Sequence, residues 1–215
     1  MKNTKFLSTA LLASLMVVGF SSCKDKEAED TMEDKMTMTD ESMDDNMEGD
    51  TMEEETVMVG GAAMYPSKNI VENASQSADH TTLVAAVKAA DLVGTLSSDG
   101  PFTVFAPTNA AFDALPKGTV EALLKPENKE QLQQVLTYHV VAGKFSAKDV
   151  LGLIKANKGK AQVPTLAGGM LILSTENGKV YVQDGNGNAA EVTIADVNQS
   201  NGVIHVINKV LLPSS

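Results

Sequence analysis

The spacing of apolar residues predicts helices in the first half of the folded region and mostly strands in the second half. Between residues 67 and 136 most apolar positions recur every three or four residues, as in amphipathic helices, while an apolar run at 102–106 predicts a strand. After residue 160 short apolar segments are separated by Asn-Gly and Asp-Gly turns. Helices followed by hairpin-linked strands indicate a single α+β domain.

The individual elements follow from local start and stop signals. Helices are predicted from Ser67 to Ala74, from Thr81 or Thr82 to a stop near Gly94, and over 120–124, 127–136 and 147–156. Strands are predicted over 102–106, 138–141, 162–166, 170–173, 180–182, 192–195 and 202–212. In the last strand Val203, His205 and Ile207 share one face, and Ile204, Val206 and Asn208 share the other.

The first 22 residues predict a signal peptide. Lys2 and Lys5 precede an apolar run, Phe6 to Phe20, which is shorter than the roughly 20 residues that span a membrane. The only cysteine, Cys23, follows two serines and resembles the lipidated cysteine of bacterial lipoproteins. This resemblance implies a lipid anchor on Cys23; an ordinary signal peptide with an incidental cysteine is the alternative. With one cysteine, an intramolecular disulfide is excluded.

The charge of −11 belongs almost entirely to residues 24–56, where fifteen Asp and Glu face three Lys. Residues 57–215 hold twelve Lys and thirteen acids, a net charge of −1, so no nucleic-acid partner is expected. The composition of residues 23–63 predicts a disordered, Met-rich linker with a reach of ~35 Å. Its acidic start resembles the export tag of some Gram-negative lipoproteins, which implies an outer-membrane protein exposed at the cell surface; a periplasm-facing anchor is the alternative.

No pattern in the folded region predicts catalysis. His80, His139 and His205 are dispersed without metal-ligand spacing, and neither a nucleophile elbow nor a phosphate loop is present. The chain has no Trp and three Tyr, which disfavours an aromatic sugar-binding platform. We therefore expect no enzyme activity, cofactor or metal site. Copper binding by the linker methionines is kept as an alternative to compositional drift.

Three motifs resemble those of the fasciclin-like domain family. Residues 103–112 match its first box, residues 201–213 match its second box, and Tyr138-His139 matches its tyrosine–histidine motif. The resemblance covers residues 64–215 and implies a β-sandwich wedge with helices packed along one side. It also implies adhesion, by interaction with an unidentified surface protein or glycan. A binding protein for a small apolar ligand, such as a carotenoid, is the alternative, with residues 166–173 as the expected place. A monomer is the default.

The same resemblance suggests roles for six residues. Thr108 or Asn109 is expected to cap a helical turn after Pro107. The resemblance implies that Tyr138 and His139 organise the fold or contact a ligand. His205, within an apolar strand, is expected to be a hydrogen-bonded core residue. Asn208 stands where many relatives carry an acidic residue linked to integrin recognition, so integrin binding is not expected.

Overall fold

A computed structural model describes residues 56–214. The predicted signal peptide, Cys23 and the linker up to residue 55 lie outside the described residues. The strands are β1 (Val57–Val59), β2 (Ala62–Met64), β3 (Phe102–Pro107), β4 (Val140–Ala142), β5 (Lys160–Pro164), β6 (Met170–Glu176), β7 (Lys179–Gln183), β8 (Ala189–Gln199) and β9 (Gly202–Ile207). The α-helices are α1 (Ile70–Ala74), α2 (Thr81–Ala89), α3 (Val93–Leu96), α4 (Asn109–Asp113), α5 (Thr119–Leu123), α6 (Lys129–Tyr138) and α7 (Ala147–Ala156). Two 3₁₀ turns cover Ala78–His80 and Pro126–Asn128.

Seven strands form one curved sheet in the order β4-β3-β9-β8-β7-β6-β5, and β1 pairs separately with β2. The β3–β9 pair is parallel and the other pairs are antiparallel. A bridge between Val141 and Thr165, with a 2.8 Å bond from the Leu166 N–H to the Val140 carbonyl, brings the two outer strands together. The sheet therefore nearly closes on itself.

The curved sheet separates two apolar cores. Side chains from all seven strands, among them Phe105, Leu171 and Ile207, meet in the core that the sheet encloses, and α7 covers it with Val150 and Ile154. Alternate residues of β3 and β9 point the other way and pack with α1, α2 and α6. Most of the helices therefore lie along one side of the sheet, and the predicted α+β class is confirmed.

Two glycines permit the close approach of β3 and β9. A Cβ on Gly202 would lie 2.1 Å from the Phe102 carbonyl oxygen, and one on Gly100 would lie 2.0 Å from that of Asn201. Both distances are far inside van der Waals contact, so only glycine fits. The start of the second box is thus set by the backbone that leads into the first box.

The folded domain begins earlier than the sequence predicted. The β1–β2 hairpin occupies residues 57–64, where a disordered linker was expected up to residue 63. Val59 and Met64 are buried in the core beneath the helices. Each strand of this hairpin has three residues. This is too short for the alternation of apolar and polar residues to reveal a strand, and the acidic linker precedes it directly.

Several element boundaries also differ from the prediction. Residues 138–139 are not strand: Tyr138 ends α6, His139 is its C-cap, and β4 begins at Val140. The last strand ends at Ile207 rather than at 212. Asn69, not Ser67, caps α1 through a capping box with Glu72, and Gly94 lies inside the short helix α3. Strand β8 is longer than predicted because bulges let it bend and continue.

Candidate functional site

Tyr138 is buried at the end of α6 and joins two loops of the sheet. Its hydroxyl donates to the Met170 carbonyl at 2.9 Å and accepts from the Gly185 N–H at 3.0 Å. Its ring lies against Gly169, where an added Cβ would be 2.6 Å from the ring edge. Burial raises the pKa of this hydroxyl, so it stays protonated and keeps both bonds. Tyr138 therefore fixes the β5–β6 and β7–β8 loops.

His139 is buried, and both of its ring nitrogens are used. Nδ1 lies 2.8 Å from the Val135 carbonyl, which can only accept, so Nδ1 carries the proton. Nε2 accepts a 3.0 Å bond from the Leu211 N–H. Burial lowers the pKa of His139 to about 4, so the ring is neutral at neutral pH. The imidazole thus ties the chain after β9 to the end of α6.

His205 performs a similar task on the other side of Phe105. Its Nε2 donates to the Phe145 carbonyl at 2.8 Å, and its Nδ1 accepts from the Asp196 N–H at 3.3 Å. The rings of Phe105 and His205 stack with centroids 5.7 Å apart. Burial lowers the pKa of His205, which keeps the ring neutral. Phe105 also donates its N–H to the His139 carbonyl at 2.9 Å, so this first-box residue links both histidines.

Thr108 and Asn109 cap two different helices. The hydroxyl of Thr108 accepts from the Ala111 N–H at 3.4 Å and caps α4. Asn109 reaches instead to α2, where its Oδ1 accepts from the Thr82 N–H at 3.0 Å. Its amide also donates to the Ala78 carbonyl at 2.8 Å. The end of β3 is in this way fastened to the helical layer.

Asn208 extends the pairing of β8 and β9 beyond the last strand. Its Oδ1 accepts from the Glu191 N–H at 2.9 Å, and its own N–H donates to the Glu191 carbonyl at 3.2 Å. The side chain is exposed but is engaged with the backbone. This position therefore lacks the free carboxylate that many relatives are expected to present.

Two residues central to this network were not predicted as buried hydrogen-bonding residues: Asp184 was predicted as a turn residue, and Asn201 as a turn residue that begins the second box. Asp184 is buried and accepts from the Asn186, Asn188 and Leu212 N–H groups at 2.9 to 3.0 Å. Asn201 accepts from the Ile70 N–H and donates to the carbonyls of Leu96 and Ser98 at 2.8 to 3.0 Å. Each of the two residues precedes a glycine, and this pattern is typical of an exposed turn. No sequence signal therefore indicated that their side chains are buried and hydrogen-bonded.

An apolar cavity of about 40 Å³ lies between the sheet and the helices α1, α2, α3 and α6. Its walls include Ile70, Leu83, Val84, Val87, Leu96 and Val104. The polar residues along its lining are Lys88, which is exposed, and His139. The predicted location at residues 166–173 is different: there Gly169 packs on Tyr138, while Leu171 and Leu173 are core residues.

The motif residues thus form one internal bonding network. Tyr138 holds the β7–β8 loop, His139 and Asp184 hold the C-terminal segment, and His205 holds the loop before α7. Within residues 56–214 no group of three or more His, Cys, Asp or Glu is placed to hold a metal ion. In the same part of the chain no helix has the length and apolarity needed to cross a membrane.

Comparison with known proteins agrees with this geometry. The model of the Fasciclin domain family matches residues 78–213, which include all three motifs. The chain belongs to the fasciclin domain family. Its fasciclin domain is 52% identical over 160 residues to protein sll1483 of Synechocystis, an alignment that covers 74% of this chain and 82% of the relative. It is 39% identical over 131 residues to pig transforming growth factor-beta-induced protein ig-h3, covering 61% of this chain and 17% of that one.

A solved structure shows the same fold. The FAS1 domain pair from the insect cell adhesion molecule fasciclin I matches with a TM-score of 0.62 and 19% sequence identity. The match covers 69% of this chain and 52% of that one. The family resemblance and the fold predicted from sequence are both confirmed.

Proposed function

We propose that this chain is a non-enzymatic lipoprotein that presents a fasciclin domain for adhesion to a surface protein or glycan. The observation that carries the proposal is the use of the motif side chains inside the domain. Tyr138, His139 and His205 all bind backbone groups, which suits a rigid presenting scaffold better than a reaction site. The likeness to a domain pair from an insect cell adhesion molecule supports the same role.

The expected address is the outer membrane of a Gram-negative bacterium. A lipid on Cys23 anchors the chain, and the acidic linker that follows holds the fasciclin domain away from the membrane. The resemblance of the linker's start to an acidic export tag favours the outer face. A domain that faces the periplasm is the alternative.

Deletion of the gene tests both parts of the proposal. We expect the deletion strain to lose surface attachment and cell aggregation, and the wild-type chain to restore both. Cys23→Ser should not restore attachment or aggregation and should not incorporate labelled palmitate. The control Ser22→Ala should restore attachment and aggregation and should incorporate palmitate. Unchanged attachment in the deletion strain would reject the adhesion role. Restoration by Cys23→Ser would reject the need for an anchor.

The apolar cavity supports a second function, the binding of a small apolar ligand such as a carotenoid. Its lining is nearly all aliphatic, as is common in ligand pockets. Its volume of about 40 Å³ is roughly a quarter of a ~150 Å³ cavity that binds benzene. A carotenoid therefore requires α1, α2 or α3 to move. Native protein that is colourless and ligand-free by mass spectrometry would reject this function.

A further inference from the structure

Helix α7 and its flanks carry an unusual concentration of positive charge. Residues 144–160 contain five Lys and one acid, a net charge of +4. The rest of residues 56–214 contains seven Lys and twelve acids, a net charge of −5. The near-neutral total of the domain therefore conceals two regions of opposite sign. The basic face consists of Lys144, Lys148, Lys155, Lys158 and Lys160.

The five exposed lysines lie on α7 and on the chain just before and just after it. Lys148 and Lys155 are seven residues apart, so they project from the same side of α7. Lys144 precedes the helix, and Lys158 and Lys160 follow it, with Lys160 as the first residue of β5. All five are exposed. The ten residues of α7 span ~15 Å, so the basic face is longer than a single small anion.

The nearby acids leave this charge largely uncompensated. Within residues 56–214 none of the five lysines forms a salt bridge. Asp149 accepts from the N–H and hydroxyl of Ser146 in the capping box. Asp196 accepts from the Ala147 N–H at 2.6 Å. Both carboxylates therefore act at the start of α7, away from Lys155, Lys158 and Lys160.

We propose that the basic face binds an acidic polysaccharide, a linear polymer bearing carboxylate or sulfate groups. This inference rests on the adhesion role proposed above and names the chemistry of its partner. A row of separated ammonium groups matches a chain of regularly spaced anions. Lysine acts as a hydrated point charge without the bidentate geometry of arginine. The contact is therefore mainly electrostatic and does not require a particular order of sugars in the polymer.

Two features of the face favour a polysaccharide over a membrane surface. The apolar side of α7, with Val150 and Ile154, is buried in the core and is unavailable to lipid. Among the exposed large hydrophobic residues of the described chain, only Leu151, 36% exposed, belongs to α7. Helices that lie in a membrane surface need a continuous apolar face, which α7 has already used.

Binding of fluorescent polygalacturonate to the full chain in nonionic detergent tests the proposal. The test variant is K148Q/K155Q/K158Q. The matched control is K88Q/K117Q/K209Q, which removes the same charge from exposed lysines outside the basic face. We expect the test variant to bind about tenfold more weakly and the control to bind like wild type, since each exposed ion pair contributes a factor of a few. Binding should also weaken as salt is raised from 50 to 300 mM.

Competition identifies the polymer. Neutral dextran should not displace polygalacturonate, and DNA or phosphatidylglycerol micelles should displace it less well than unlabelled polygalacturonate. Equal loss of binding in both variants, or no binding at low salt, would overturn the basic face as the site. Stronger displacement by DNA or by phosphatidylglycerol would overturn the polysaccharide assignment. If attachment of cells still depends on the gene, the adhesion role stands without this partner.

Discussion

The imidazole of His139 accepts a hydrogen bond from the backbone N–H of Leu211, 72 residues further along the chain. Its other nitrogen donates to the Val135 carbonyl within α6. One side chain therefore joins the last turn of a helix to the segment that leaves the final strand. The tyrosine–histidine motif and the second box are parts of a single contact.

Replacement of His139 by Leu should lower the free energy of unfolding by about 2 to 4 kcal/mol. The Leu211 N–H and the Val135 carbonyl both lose a partner while they remain buried, and each unsatisfied group costs about 1 to 3 kcal/mol. Urea denaturation followed by circular dichroism measures the change. Leucine keeps a similar apolar volume, so the loss reports mainly on the two hydrogen bonds.

Asn208→Ala is the control for this measurement. Its amide also accepts a backbone bond, from Glu191, but at an exposed position where water replaces it. We expect a loss of about 1 kcal/mol or less. Equal losses in the two variants would contradict the central role assigned to His139.

Stability should fall as the pH drops from 6.5 towards 4. The pKa of His139 is about 4 in the folded domain and 6.5 in the unfolded chain. Between these values the unfolded chain binds the proton and the folded domain does not, so acid favours unfolding. His80 and His205, whose pKa values burial also lowers, act in the same direction.

The size of this effect is measurable by urea denaturation between pH 7.5 and 4.5. His139 alone should contribute roughly 3 kcal/mol across its interval. The lowered pKa of Asp149 acts only below its ordinary value of 3.8, outside the range tested. His139→Leu should show a shallower dependence on pH than wild type. Parallel curves for the two proteins would contradict the assignment.

Local sequence patterns predicted an element correctly where its buried residues recur at the spacing of that element. Helix α7 has the predicted bounds because Val150 and Ile154 recur at helical spacing behind a Ser146 cap. Tyr-His-Val-Val at 138–141 was predicted as strand because its residues favour strands. In the structure Tyr138 instead ends α6, where its ring packs against Gly169, and His139 is the C-cap of the helix.

The candidate site was harder to predict than the fold because its contacts are remote in sequence. The sequence singled out His139 and His205, but their partners Leu211 and Phe145 are backbone groups without any signal of their own. The cavity is likewise lined by residues of four helices and the sheet, which are far apart in sequence. The near closure of the sheet depends on a bridge between Val141 and Thr165. The spacing of apolar residues along the chain cannot predict which strands pair.

Gly202→Ala should prevent correct folding or destabilise the domain by more than about 3 kcal/mol. The added methyl would lie 2.1 Å from the Phe102 carbonyl oxygen and would force the parallel pair β3–β9 apart. Gly152→Ala, in the middle of α7, is the control because its new Cβ would meet no atom within 4 Å apart from its chain neighbours and the backbone of its own helix. The control should be more stable by about 0.5 to 1 kcal/mol. Thermal unfolding compares the two, and a mild effect of Gly202→Ala would contradict the close approach.

Filling the apolar cavity should abolish binding of an apolar ligand if the second function is correct. Val84 is half-buried in the cavity wall, so Val84→Phe places a ring into the space between the sheet and the helices. Leu166→Phe is the control, at the exposed loop that the sequence indicated. We expect β-carotene or an apolar dye to bind the control like wild type and to bind Val84→Phe at least about tenfold more weakly, a change of ~1.4 kcal/mol. Urea denaturation must show that Val84→Phe remains folded, since overpacking costs about 1 to 3 kcal/mol. Weaker binding to Leu166→Phe alone would place the ligand at the β5–β6 loop, because the two variants alter separate apolar surfaces.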